Sequence, residues 1–576
     1  MKSKTTIWGL VAGIALVIGC LLYFLYIVPY HVRFKEQIQL FVFSSSYILS
    51  YFTKPAAFAC LGGDFLTQFF YLIGGGTAII TLLLLTEWRL IFATLKRFSS
   101  VKTQHATSLQ TLGVASLLPV MIEWILYPDL FFSVAFSVSF IIALSAFIIY
   151  AKTNGNIAVG ILLIPALYIT AGASVFLFVI LAIFYDIYVG RRRFIYWTIA
   201  LVFSIALPFI LRHIYLLTLK QAFFYPYLNV KQASSLVALA LIVLLFVCFK
   251  NRANTIRGFW ANAIRPYILF VIIIVLLIAG LVKTTVRNRN QEYIFGISIE
   301  AYYNHWDKVL EIAEKAKLKS PVATCYTNIA LSKKSLLGER LMDFYQPFSS
   351  GLLIPMTPSA GWFTIFSGSD AYYHIGDMSM AQHAAMLGMI FSPNQRSARM
   401  MERLVETNIA TGDTAVAMKY VRILGSTLFH QMKPDRLKDM PHRGIFKEDI
   451  IHRANDVKTS LELLVASDPD NLPALNYLLS YYLLTKDIPS FFKAYTAYYK
   501  GKYPPQKAYS EALLIYLAAE KSPVNEVLSY GVHSDIIKSF GEYTRLYEKS
   551  NGNLASMQKE FPNTYWLFYH FAVMNN

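Results

Sequence analysis

The first half of this chain is a succession of apolar runs, each near the length of a bilayer crossing, separated by short loops rich in Lys and Arg. A crossing helix needs about 20 apolar residues. In lipid, every backbone polar group must also be satisfied internally, which leaves helices or a closed barrel. No period-two alternation marks these runs as strands, so the expected fold class is all-α. Residues 1–285 are read as a polytopic transmembrane helix bundle. Residues 286–576, where amphipathic patterning takes over, are read as a soluble helical domain.

The runs place the crossings. Ile7–Val28 is the first and follows Lys2 and Lys4; Val17-Ile18-Gly19-Cys20 resembles a lipoprotein cleavage box, but the apolar run continues past it, so an uncleaved anchor is expected. An external loop, 29–64, precedes a second span expected at Phe65–Phe92. Leu109–Tyr150 is too long for one crossing and divides at Pro128-Asp129. Ile157–Val189 divides at Thr170–Ser174. Phe194–Leu211, Ser235–Phe249 and Ala261–Val282 complete about nine spans. Loops holding Lys96/Arg97, Lys152, Arg191–Arg193 and Lys250–Arg257 then share the side of Lys2, as the positive-inside rule requires. This topology expects a bacterial inner membrane, a cytoplasmic N-terminus and a periplasmic C-terminal domain.

The formal net charge of +18 raises nucleic-acid binding, but much of the excess sits in those loops. No basic stripe with interleaved aromatics runs through the second half, so nucleic acid is not an expected partner. Of four cysteines, Cys20 and Cys248 lie in apolar segments. Cys60 and Cys325 lie outside them, where a disulfide would be chemically allowed. No zinc spacing occurs.

In the second half, helices are expected at 300–317, 321–337, 378–389, 397–411, 414–424, 472–484 and 488–499. Two passages match each other. Ser392-Pro393-Asn394, a helix, Gly412-Asp413 and a helix form one; Asp468-Pro469-Asp470-Asn471, a helix, Lys486-Asp487 and a helix form the other. Paired helices of this spacing are TPR-like, and such pairs build surfaces for protein partners, here envelope proteins. The apolar stretch 346–355 is either a docking segment or a buried irregular one.

Walker, nucleophile-elbow, zincin and dinucleotide signatures are absent. Gly74-Gly75-Gly76 is read as close packing within an apolar helix. Chemistry is sought in the external loop. Glu36 and Asp64 bracket it, and Glu123 and Asp129 are placed at the same surface, with His31, Arg33 and Gln68 nearby. A carboxylate at membrane depth costs roughly 2.5–3.5 kcal/mol unless paired. Glu36, Asp64 and Glu123 are therefore candidate catalytic groups, as a general base or as ligands of a divalent cation. The alternative is structural pairing, for Glu123 with Arg33, Arg212 or His213. Glu87 and Asp186 are read as interfacial on the cytoplasmic side.

Glu36-Gln37-Ile38-Gln39-Leu40-Phe41, Phe65-Leu66-Thr67-Gln68-Phe69-Phe70, and Asp468-Pro469-Asp470-Asn471 with Tyr481–Leu484 resemble an uncharacterised, Bacteroidetes-type family of polytopic membrane proteins. That resemblance implies architecture rather than activity. The layout of Glu36 and the following loop is similar to GT-C-type glycosyltransferases, which place an acid after the first span and use polyprenyl-phosphate-linked sugars. The acid there is commonly Asp in a paired motif; here it is Glu36 beside Lys35. The resemblance implies transfer from a lipid-linked sugar, with His31, Arg33, Gln68, Arg212 and His213 binding substrate. The expected alternative is a non-enzymatic envelope scaffold. A transporter is less expected, since no inverted halves are visible.

Overall fold

A computed structural model describes residues 2–98, 112–248, 265–355, 362–392, 395–432 and 457–573; Lys102, Lys250, Arg252, Arg257, Pro393 and Asn394 lie outside them. The described residues are helical throughout, with no strand among them. The chain forms two compact units. One comprises Met1–Arg289 together with Ser426–His430, and the other Asn290–Gly425 together with Gln431–Asn576.

Among the described residues, five helices are long and apolar enough to cross a membrane: Leu10–Ile27, Gly75–Arg97, Val134–Lys152, Phe194–Ile214 and Val271–Tyr302. Four more apolar helices, Leu112–Leu126, Ile157–Ala171, Ser174–Val189 and Ser234–Cys248, are shorter. Against the expected about nine spans, the described residues hold five helices of crossing length and four shorter apolar ones. Two breaks divide longer apolar runs. Pro128-Asp129 falls between Leu117–Leu126 and Val134–Lys152. Gly172, at φ +64°, turns the chain where a Cβ would meet the Tyr225 carbonyl oxygen at 2.2 Å.

The second span also starts later than expected. Ala57–Thr67 forms its own helix, Gln68–Tyr71 a tight turn, and the long helix begins at Gly75. Gly74 precedes it at φ +76°, a conformation that costs most residues but not glycine. The three glycines therefore form the helix's entry rather than its interior. A Cβ on Gly76 would lie 2.4 Å from Val32 Cγ1 and 2.8 Å from Phe70 Cγ.

Within this bundle, side chains join helices by hydrogen bonds that lipid cannot replace. Ser139 donates to the Ala171 carbonyl at 2.6 Å, and its hydroxyl lies 2.7 Å from that of Ser174. Asp186, fully buried, lies 3.6 Å from Arg191 and 4.0 Å from Arg193. All four cysteines are free.

The second unit is built from helices whose ends follow local capping chemistry. Ser397, Asn471 and Asp487 each accept from a backbone N–H at the start of a helix, Ala398–Ala410, Leu472–Leu484 and Ile488–Ala494. Trp362–Ile375, Met378–Phe391, Ala398–Ala410 and Thr414–Gly425 pack each against the next. Asp370 ties three elements together. It pairs with Arg399 and, at 2.8 Å, with Arg403, and accepts from the Tyr326 hydroxyl at 2.8 Å. Leu352, Leu353 and Ile354 are buried in this unit's own core, so the apolar stretch is a buried irregular segment.

Candidate functional site in the loop after the first helix

Glu36 sits on the helix Pro29–Gln37, which starts with Pro at its first turn, where the missing N–H is tolerated. The helix turns its consecutive residues in different directions. Lys35 gives its protons to the carbonyl oxygens of Tyr127 and Phe132, both at 2.7 Å. Burial pushes the Lys35 ammonium down to about 7. It fixes the helix against the 127–132 turn instead of pairing with its neighbour Glu36.

Glu36 pairs with His430. The imidazole Nε2 lies 2.5 Å from Glu36 Oε1, and both side chains are 5% exposed. The segment that carries His430 is held in this unit by several contacts. Phe43 N–H donates to the Ser426 carbonyl at 2.7 Å. Phe429 stacks on Tyr71 at 5.1 Å with rings 11° apart and meets Phe69 edge-on. Tyr71 also meets the His430 ring edge-on at 5.3 Å. The His430 N–H donates to the Thr427 hydroxyl at 3.1 Å.

A small cleft, about the size of one water, is lined by Glu36, Gln39, Leu40, Phe41 and Gln68 on one side and Thr427–His430 on the other. Gln68 is held there by donating to the Phe65 carbonyl at 2.9 Å. Gln39 donates to the Asp64 backbone carbonyl at 3.3 Å. The Asp64 carboxylate accepts from the Tyr51 hydroxyl at 2.6 Å, and Tyr51 in turn lies 2.6 Å from the Tyr47 hydroxyl. Asp64 thus adjoins the cleft through its backbone, while its side chain belongs to a tyrosine pair.

The other expected residues lie elsewhere. Glu123 accepts from Ser137 at 2.5 Å and Ser235 at 2.8 Å inside the helix bundle. It does not line the Glu36 cleft. Arg212 and His213 are not in its lining either. Arg212 Nε is 3.3 Å from His213 Nε2, and its guanidinium lies over Phe209 at 4.8 Å. His31 is buried beside Val32 and Phe34 on the same helix as Glu36. Arg33 precedes Glu36 by three positions on that helix, a spacing that puts two side chains on neighbouring faces. No group of three or more His, Cys, Asp or Glu with metal-holding geometry occurs among the described residues.

Sequence reasoning missed His430 and misplaced Glu87. His430 lies 394 positions from Glu36, and no periodicity links them. The one available signal was the short run Leu428-Phe429-His430, apolar and aromatic just after an amphipathic helix. Glu87 was read as interfacial because the span was started at Phe65. With the helix at Gly75–Arg97, Glu87 falls in its middle and is fully buried.

One family model, described as a family of unknown function (DUF6057), matches residues 3–572. No curated protein and no solved structure matches the chain.

Proposed function

We propose, for a chain that belongs to the DUF6057 family over nearly its whole length, that it is an integral-membrane transferase drawing on a lipid-linked donor. The observation that supports this reading is the buried Glu36–His430 pair beside the first apolar helix. One imidazole N–H fixes Oε1, and a carboxylate keeps further lone pairs to accept a proton. Glu36 is then the general base and His430 positions it.

The specific form is GT-C-like glycosyl transfer at the external face of a bacterial inner membrane. Glu36 takes the proton of an acceptor hydroxyl, whose oxygen attacks the anomeric carbon. The bond from that carbon to phosphate oxygen breaks, and the polyprenyl phosphate leaves with the electron pair. Arg33, on the same helix, matches the phosphate charge. Gln68 and Gln39 supply amides for sugar hydroxyls. A water-sized cleft holds no sugar, so substrate entry requires Thr427–His430 to lift. Glu36→Gln abolishes transfer and leaves folding intact on this reading; wild-type transfer by that variant removes it.

A second reading rests on the consecutive packing of the four helices from Trp362 to Gly425. A TPR-like array of this kind, in the periplasm, presents a surface for envelope proteins. Cross-linking in cells from positions on 378–425 separates the two, because the scaffold reading requires captured partners there and no dependence on Glu36.

A further inference from the structure

A second pair of acids lies in the bundle, apart from the Glu36 cleft. Glu87, on Gly75–Arg97, and Glu123, on Leu117–Leu126, are both fully buried. Their carboxyl groups face each other within hydrogen-bonding reach. Glu123 is supplied with donors: Ser137 from Val134–Lys152 at 2.5 Å and Ser235 from Ser234–Cys248 at 2.8 Å. Glu87 is not. Neither of its oxygens, both inaccessible, receives a hydrogen from a side chain or backbone donor among the described residues. Ser137 also lies beside Glu87, but a hydroxyl has one proton, and the short contact assigns it to Glu123.

Two carboxylates in contact inside an apolar bundle cannot both be ionised, because like charge and desolvation act in the same direction. The missing hydrogen between them is therefore a bound proton. We propose that Glu87 and Glu123 form a single-proton binding site, a carboxylic acid donating to a carboxylate, with net charge −1. Glu87 carries the acid proton and Glu123 the charge, since the two serine donors stabilise the ionised form of Glu123.

The surroundings fit a proton rather than a metal ion. The titratable groups facing the pair are Tyr127 and Tyr227, with Cys20 beside Tyr127. None of them is cationic. Lys35 stands 5.5 Å from the Tyr127 ring centroid, and its protons go to the two carbonyls named above. Tyr127 lies 2.7 Å from the Ser137 hydroxyl, so a hydroxyl chain, Tyr127 to Ser137 to Glu123, reaches the pair from the 127–132 turn. Four helices meet at these residues. Removing the shared proton places two negative charges at their junction, which makes the packing of the bundle proton-dependent.

Infrared titration of the full-length protein in lipid nanodiscs tests the site. At a pH above the titration of Glu511, the wild type should show a protonated-carboxyl carbonyl band that shifts in heavy water; Glu87→Gln should remove it, and Glu123→Gln, which leaves a buried Glu87 without its carboxylate acceptor, should shift its frequency. Glu511→Gln serves as the control, because buried Glu511 in the other unit is itself protonated near neutrality; its loss should leave the pair's band in place. Ser235→Ala keeps both acids and removes one donor to Glu123, so the band should persist to higher pH. A band absent from the wild type, unchanged in both glutamine variants, unmoved by Ser235→Ala, or abolished by added sodium or calcium would overturn the proposal. None of these readings involves Glu36, so failure here is separable from failure of the transferase reading.

Discussion

The Nε2 atom of His430 and the Oε1 atom of Glu36 meet at 2.5 Å across 394 positions of sequence, on two side chains that are both buried. Removing one member of such a pair leaves a buried group without its partner, at a cost of about 3–5 kcal/mol. His430→Ala should therefore lower the thermal unfolding midpoint of the detergent-solubilised protein markedly. His430→Gln retains a side-chain donor and should lower it less. Equal midpoints for wild type and His430→Ala would show that the pair contributes nothing to stability.

Gly62 and Gly63 are adjacent on Ala57–Thr67 and differ sharply in surroundings. A Cβ on Gly63 would lie 2.4 Å from the Ala135 backbone nitrogen, whereas one on Gly62 makes an ordinary contact at 3.6 Å with Val138. Gly63→Ala should destabilise by about 1–3 kcal/mol through overpacking, because backbone cannot swing aside. Gly62→Ala should be close to neutral. Thermal unfolding of the two variants side by side checks the contrast.

Asp370 balances Arg399 and Arg403 in the second unit, where Arg403 also lies over the Tyr373 ring at 3.9 Å. Asp370→Ala leaves the buried Arg399 guanidinium, and the half-buried Arg403 that also pairs with Glu406, short of a counter-charge and should cost about 3–5 kcal/mol. Limited proteolysis of the full-length variant should then cut within 321–425 at protease levels that spare the wild type.

Glu511 sets a pH dependence. It accepts from the Tyr565 N–H at 2.5 Å, and burial pushes its carboxyl up to about 7 from 4.5. The folded state thus holds a proton that the unfolded chain releases. The stabilisation is fully present below pH 4.5 and is lost as pH rises through about 7. A shift of this size corresponds to roughly 3 kcal/mol. Glu511→Gln should flatten the fall in unfolding midpoint across that window; an unchanged slope would remove Glu511 as its cause.

Local rules carried the sequence reading a long way. Pro128-Asp129 and Thr170–Ser174 marked real breaks because Pro and Gly act on the backbone within a residue or two. Asn471 and Asp487 marked helix starts because capping is local as well. The second span was misjudged where a largely apolar stretch continues from Phe65 onward; the chain leaves the helical conformation at Leu72 and the long helix opens at Gly74, in the left-handed conformation. The site was legible on one side only. Glu36 stood out as an acid after an apolar run, but its partner is set by tertiary packing of aromatic residues, Phe429 on Tyr71. Glu87 and Glu123 were each visible as acids among apolar residues, and their meeting depends on which helices pack together.

The most direct test of the account is transfer of labelled sugar from polyprenyl-phosphate donors by full-length protein in proteoliposomes. Wild type, Glu36→Gln and His430→Gln are compared with their unfolding midpoints. The account predicts transfer by the wild type and its loss, by about 100-fold or more, in Glu36→Gln, which keeps an acceptor oxygen for His430 and should unfold no earlier than His430→Gln, with a smaller loss of transfer in His430→Gln. Transfer by Glu36→Gln at the wild-type rate would contradict it.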